Sequence, residues 1–303
     1  MSARFTFTRP ARLAAIAPYL WMLLFFLVPL GFVLKISLSQ TAIAQPPYVP
    51  VFDPTQGVSA IAGLAELSLD NFKLLVSDNL YVLSYLRSLA VAAVSTSILL
   101  VIGYPLAYGM ARLPRQWQAL AMMLVIIPFW TSFLIRIYAW INILQHDGVL
   151  NKFLLALHLV SAPVVWLSTD SAMYLGIVYS YLPFMILPLY ASLAKMDPAL
   201  LEAAEDLGAS RARAFWLVTF PLSLPGIAAG VLLCFIPIVG EFVIPDLLAG
   251  SNSLMIGQTL WLEFFTNKDW PVASAAAVIL LLLLIVPLAL YDRLQRRRFE
   301  QAQ

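Results

Sequence analysis

Long apolar runs alternate with short polar segments along this chain. Charge-free windows cover 13–34, 88–111, 116–135, 171–194 and 271–291, each near the roughly 20 residues that a helix needs to cross about 30 Å of hydrocarbon. A further apolar run, 214–240, starts inside a polar loop, so its membrane part is expected to begin near Leu224 and to continue past Glu241. The pattern predicts an all-α membrane protein with six transmembrane helices, at 13–38, 81–111, 117–143, 171–194, 224–248 and 271–291. It leaves tails at 1–12 and 292–303, a long outer section at 39–80 and an inner loop at 195–223. No repeat or low-complexity stretch divides the chain, which reads as a single domain, 1–303.

Composition agrees with that pattern. The 303 residues are 62% hydrophobic and 11% charged, with a mean hydropathy of +0.88, which excludes an ordinary soluble domain. Arg4, Arg9, Arg12, Arg112, Arg115, Lys195, Arg211, Arg213, Arg293, Arg296, Arg297 and Arg298 fall on one side of the six spans. The opposite side and its span ends carry fewer cations: Lys35, Lys73, Arg87, Lys152 and Lys268. Because Lys and Arg accumulate in short cytoplasmic segments, both termini and the 195–223 loop are expected in the cytoplasm. The first apolar run is about twice the length of a signal-peptide core and is expected to be a retained span. Its residues and those of the other spans make membrane lipid the surrounding medium.

Several chemistries find no support. The chain lacks the Gly-x-x-x-x-Gly-Lys-Ser/Thr phosphate loop, so ATP would have to be bound and hydrolysed by another subunit. Cys234 is the only cysteine, which rules out an intrachain disulfide. His146 and His158 are widely spaced, with Asp147 the one nearby acid, and make a poor metal pair. A non-catalytic chain without a bound cofactor or metal, and without nucleic acid as a partner, is the expectation.

Within the outer section, the prolines of Gln45-Pro46-Pro47-Tyr48-Val49-Pro50 argue against a long helix. A short interfacial helix is expected around 67–80, its apolar face formed by Leu69, Phe72, Leu75 and Val76.

The inner loop carries the strongest local signals. Asp197-Pro198 reads as an N-cap followed by Pro at the first helical position, and Gly208 as the left-handed residue that closes the helix. Ser210 then caps a second helix from Arg211 to about Val218, which Pro221 and Pro225 are expected to terminate. Small Ala203 and Ala204 permit close approach of a partner, and Glu202 offers it a carboxylate.

Arg136 and Glu241 are charges inside predicted spans and therefore functional candidates. Counted along straight helices at about 1.5 Å per residue, each lies about 25 Å from the inner face. Three readings stay open: a structural Arg136–Glu241 ion pair, a path for a cationic substrate lined by Glu241 and Asp246, or snorkelling of Arg136 to the interface. Aromatic residues gather at the same outer level. Most suit an interfacial belt, but Trp130, Tyr138 and Trp261 could also offer cation–π surfaces to an ammonium group.

The motif Glu202-Ala203-Ala204, then Gly208 and the close Val218-Thr219-Phe220-Pro221, resembles the loop by which permease subunits of binding-protein-dependent ABC importers grip their ATPase. Pro128-Phe129-Trp130 through Trp140 with Gly148-Val149-Leu150-Asn151, Gly240-Glu241-Phe242-Val243-Ile244-Pro245-Asp246 with Met255-Ile256-Gly257, and Asp269-Trp270-Pro271 are similar to polyamine importer permeases, most of all the putrescine type. The resemblance implies a MetI-like permease fold in the bacterial inner membrane. It implies three partners: a second homologous permease, an ATPase homodimer that binds ATP-Mg, and a periplasmic polyamine-binding protein. It also implies coupling to the ATPase through Glu202, Ala203, Ala204, Gly208 and Pro221. A spermidine permease is the alternative within that class, and an ion-gradient-driven secondary transporter the alternative outside it.

Overall fold

The computed structural model describes residue 16 and residues 18–51, 67–250 and 254–301. The 1–12 tail, the start of the first predicted span and residues 52–66 of the outer section lie outside them. Five continuous helices are long and apolar enough to cross a membrane: α1 (Pro18–Ser37), α3 (Asn79–Arg112), α7 (Asp170–Leu193), α9 (Arg211–Val239) and the apolar part of α12 (Trp270–Gln301). The remaining predicted span is not one straight helix. Its two halves, Arg115–Trp130 and Phe133–Ala156, pass the same test only as a pair bent by 88°. The first half is α4 (Arg115–Trp130), and the second contains α5 (Phe133–Leu144) and α6 (Val149–Ala156). Pro128 has no N–H to continue the helix, and its carbonyl accepts the Thr131 hydroxyl at 2.8 Å instead. Thr131 and Ser132 are then extended. The 117–143 helix is therefore corrected to two helices meeting at a corner.

The chain folds as two compact units. One comprises Met1–Val82 and Leu260–Leu282. Here α1 ends in a short antiparallel hairpin of β1 (Gln40–Thr41) and β2 (Tyr48–Val49), with Gln40 opposite Val49 and Thr41 opposite Tyr48. The expected surface helix is present as α2 (Asp70–Ser77). Its buried face is narrower than predicted: Leu75 packs with Tyr81, Val272, Ala275 and Ala276, and Phe72 lies against them, whereas Leu69 and Val76 are exposed. Asn71 explains the difference, since its amide donates to the carbonyls of Ser37 and Ser39 and so sets the rotation of α2 against the end of α1. Thr41 and Tyr81 donate to Asp269 and Glu263 in the same unit, at 2.7 and 2.8 Å.

The other unit comprises Leu83–Thr259 and Leu283–Gln303. Its centre is the packing of α7 on α9, where a Cβ at Gly226 would come within 2.5 Å of Ser192. Small residues are the means by which helices approach closely when the surrounding solvent is itself apolar. The loop between them contains α8 (Ala199–Asp206). Beyond α9 follow α10 (Val243–Leu248) and α11 (Ile256–Trp261).

Two further expectations are corrected here. Pro221 and Pro225 do not end the second loop helix; Arg211–Val239 is one continuous helix. A π-helical turn at Phe215–Thr219 lets the Phe220 N–H bond back to Phe215, and this widened turn accommodates Pro221 at the start of the next α-helical stretch. The span predicted over 224–248 instead stops at Val239, and Glu241 lies at the corner between α9 and α10.

Candidate functional site

The inner loop has the capped geometry that its residues predict. Asp197 accepts from the Ala199 N–H at 3.0 Å, which satisfies a free donor at the start of α8. At the other end, the N–H groups of Gly208 and Ala209 close onto the carbonyls of Glu205 and Ala204. Gly208 has φ +83°, a left-handed conformation that residues with a Cβ disfavour. Ser210 accepts from the Arg213 N–H and opens α9.

The face this creates is exposed and mixed in character. Glu202, Ala203 and Gly208 are exposed, Ala204 is half-buried, and Pro221 is exposed on α9. Leu207 is 90% exposed. Behind α8 lies a cavity of about 720 Å³ whose lining includes Tyr108, Arg112, Asp197, Glu202, Glu205 and Arg211.

A second candidate region is the corner at Glu241. Burial leaves this carboxylate 9% exposed, and both of its oxygens are engaged. Tyr181 on α7 donates to Oε2 at 2.6 Å. The N–H groups of Val243 and Ile244 donate to Oε1 at 3.0 and 3.4 Å. Glu241 thus caps α10, with its charge at the end of the helix where N–H groups converge. Gly257 on α11 lies against the same corner: a Cβ there would be 2.5 Å from the Gly240 carbonyl oxygen and 2.7 Å from that of Glu241. Ser88 on α3 accepts from the Ile256 N–H at 2.8 Å, and Thr259 meets Ser84 at 3.2 Å.

The Arg136–Glu241 ion pair, one of the three open readings, is not formed. Glu241 is occupied by Tyr181 and the α10 backbone, and the Thr131–Ser132 corner places Arg136 on α5 rather than deep along a straight span. The Arg136 guanidinium instead lies 4.6 Å over the Phe129 ring. Trp130 and Tyr138 are 79% and 54% exposed, and Asp246 is exposed on α10. Among the described residues, no hydrogen bond or ring contact joins Trp130, Tyr138 or Asp246 to one another or to Glu241. Trp261 belongs to the other unit, where its ring centroid is 4.1 Å from that of Phe265.

Sequence reasoning missed Tyr181, Ser84 and Ser88. The two serines did leave a signal, four residues apart and so on one face of an apolar helix. Tyr181 left none, because its partner is 60 positions away.

Asn151, named only within a motif, organises the segment between α5 and α7. It is 1% exposed. Its amide donates to the carbonyls of Gln145, His146 and Val164, and its oxygen accepts from the Val164 N–H and the Trp166 indole. Asn151→Ala is expected to cost about 3 kcal/mol by stranding these buried groups. Limited proteolysis should then cut within 157–168 much faster than in the parent protein; an unchanged cleavage rate would count against this role.

Residues 100–300 match the family described as "Binding-protein-dependent transport system inner membrane component". The chain belongs to this family. Among its relatives, the spermidine/putrescine transport system permease protein PotB of Escherichia coli (strain K12) is 42% identical over 229 residues, covering 76% of this chain and 83% of that one. The inner membrane ABC transporter permease protein YdcU of the same strain is 34% identical over 238 residues, covering 75% and 74%. In fold, the chain is similar to a bacterial ABC transporter involved in the import of the acidic polysaccharide alginate, with TM-score 0.73 at 17% identity over 94% of both chains. The MetNI methionine ABC transporter follows at TM-score 0.53 and 19% identity, over 71% of this chain and 94% of that one. This family member therefore has the MetI-like fold of ABC importer permeases and is a multi-pass protein of the bacterial inner membrane.

Proposed function

We propose that this permease forms one half of the membrane pore of an ATP-driven polyamine importer, with putrescine as its substrate. The observation that carries this reading is the 42% identity, over three quarters of the chain, to permeases named for spermidine and putrescine transport. In this reading the chain itself is non-catalytic. A homologous permease completes the pore, a periplasmic binding protein delivers the polyamine, and an ATPase homodimer holds ATP-Mg.

Coupling runs through α8. Its capped ends and exposed Glu202, Ala203 and Gly208 suit a helix that enters a cleft on the ATPase. Closure of the ATPase pair then pulls on α7 and α9, which continue directly from the loop, and alternates access to the pore. The loop lies on the cytoplasmic side by the distribution of Lys and Arg.

Spermidine is the second reading, favoured by the relatives' shared name. ATP-dependent uptake of labelled putrescine and spermidine by the reconstituted complex separates the two. The expected result is putrescine uptake that requires ATP, the ATPase and the binding protein. Uptake by the permease alone, driven by an ion gradient, would replace this reading with a secondary transporter.

A further inference from the structure

Arg136 is a membrane-segment charge that this transport scheme leaves without a task. Its Nε and Nη1 are buried and find no acceptor among the described residues. The guanidinium rests over two rings, 4.6 Å from the centre of Phe129 and 5.8 Å from that of Phe133. The residue is half-buried; two guanidinium nitrogens withdrawn from solvent without an acceptor are costly, and an aromatic face recovers part of that cost. Phe129 is also the first ring of a row. It meets Phe184 edge-on at 5.1 Å, Phe184 lies 6.1 Å from Tyr181, and Tyr181 donates to Glu241. A guanidinium thus holds one end of three consecutive rings and a carboxylate the other.

We propose that Arg136 is a tethered cation that occupies this aromatic row and must leave it before an ammonium group of the substrate takes its place. The proposal rests on the cationic-substrate reading above. The row suits an alkylammonium: ring faces attract the charge, apolar edges pack against methylenes, and Glu241 supplies negative potential at the far end. While Arg136 remains, a second cation on the same face meets like-charge repulsion in a poorly screened environment. The Thr131–Ser132 corner separates Phe129 from the helix that carries Arg136. A change of angle at that corner would lift the guanidinium off Phe129 without breaking helical hydrogen bonds. Arg136 is then a selectivity device that admits cations only in one state of the cycle.

The test is equilibrium binding to the intact importer complex in nanodiscs, without binding protein. The probes are labelled putrescine, tetramethylammonium as a permanent cation and 1,4-butanediol as the neutral counterpart of putrescine. Arg136→Met is expected to tighten binding of both cations by about tenfold, the scale of one desolvated cation–π contact. Arg136→Lys should bind them as the parent does, and butanediol should not distinguish the variants. Adding Phe129→Leu to Arg136→Met should remove the gain. Cation binding that is unchanged or weaker in an assembled Arg136→Met complex overturns the proposal. So does loss of the companion permease from that variant, which would assign the guanidinium to a subunit interface. ATP-dependent uptake by the parent complex is measured in parallel. If it carries no polyamine while tetramethylammonium still distinguishes Arg136→Met, the transport reading fails and the tethered cation stands.

Discussion

Gly208→Val is expected to lower ATP-driven uptake by at least about tenfold, the factor that 1.4 kcal/mol represents, while leaving the complex assembled. The reason is local. Gly208 has φ +83°, and for a residue with a Cβ that region costs about 1–2 kcal/mol, more when the side chain is branched. Among the described residues, no atom beyond Gly208 and its chain neighbours lies within 4 Å of a Cβ placed there, so the penalty is conformational and not a clash. Relief comes by reopening the turn between α8 and α9, which re-aims α8 relative to the helices it is meant to drive. ATP hydrolysis by the partner subunit should persist or rise as uptake falls, and Gly208→Asn, which tolerates left-handed backbone better, should retain more transport. Normal uptake by an assembled Gly208→Val complex would remove α8 from the coupling path.

Glu241→Ala is expected to destabilise the permease by about 3 kcal/mol, because it strands one buried and two partly buried donors at once. These are the Tyr181 hydroxyl and the N–H groups of Val243 and Ile244. Loss of the cap frees α10, whose Ile244 and Leu248 pack beside Gly176 on α7. Glu241→Gln keeps an acceptor oxygen for the α10 backbone and should lose much less. Thermal unfolding of the purified complex checks both, with a fall of several degrees for Ala against a small one for Gln. Equal stability of the two variants would show that the carboxylate acts through its charge and not as a cap. Uptake by the stable Gln variant then reads any transport role of that charge separately from its place in the fold.

The inner loop was the part of the candidate site most legible from the residues. Asp197, Gly208 and Ser210 each act on backbone groups within three or four positions, so local chemistry alone placed the caps and the turn. Apolar run length likewise pointed to four of the five continuous helices, because the hydrocarbon thickness imposes it residue by residue, but it misplaced the fifth, which runs from Arg211 to Val239. The corner at Thr131 was less visible. Pro128 marked it, but a proline is tolerated inside a span, as at Pro105 and Pro183, and only the competing bond from Thr131 turned this one into a break. Pro221 misled in the opposite sense, since the π turn before it is a matter of backbone register that composition does not reveal.

Membrane residence, helix content and the caps around α8 followed from order along the chain, since each depends on neighbours or on the solvent that a run of residues faces. The assignment of charges did not. Glu241 and Arg136 suit each other at equal depth along straight helices, yet two bends intervene, and each group finds aromatic or backbone partners supplied by other segments. Pairing between charges depends on distances through space, and those exist only once the helices have bent and packed.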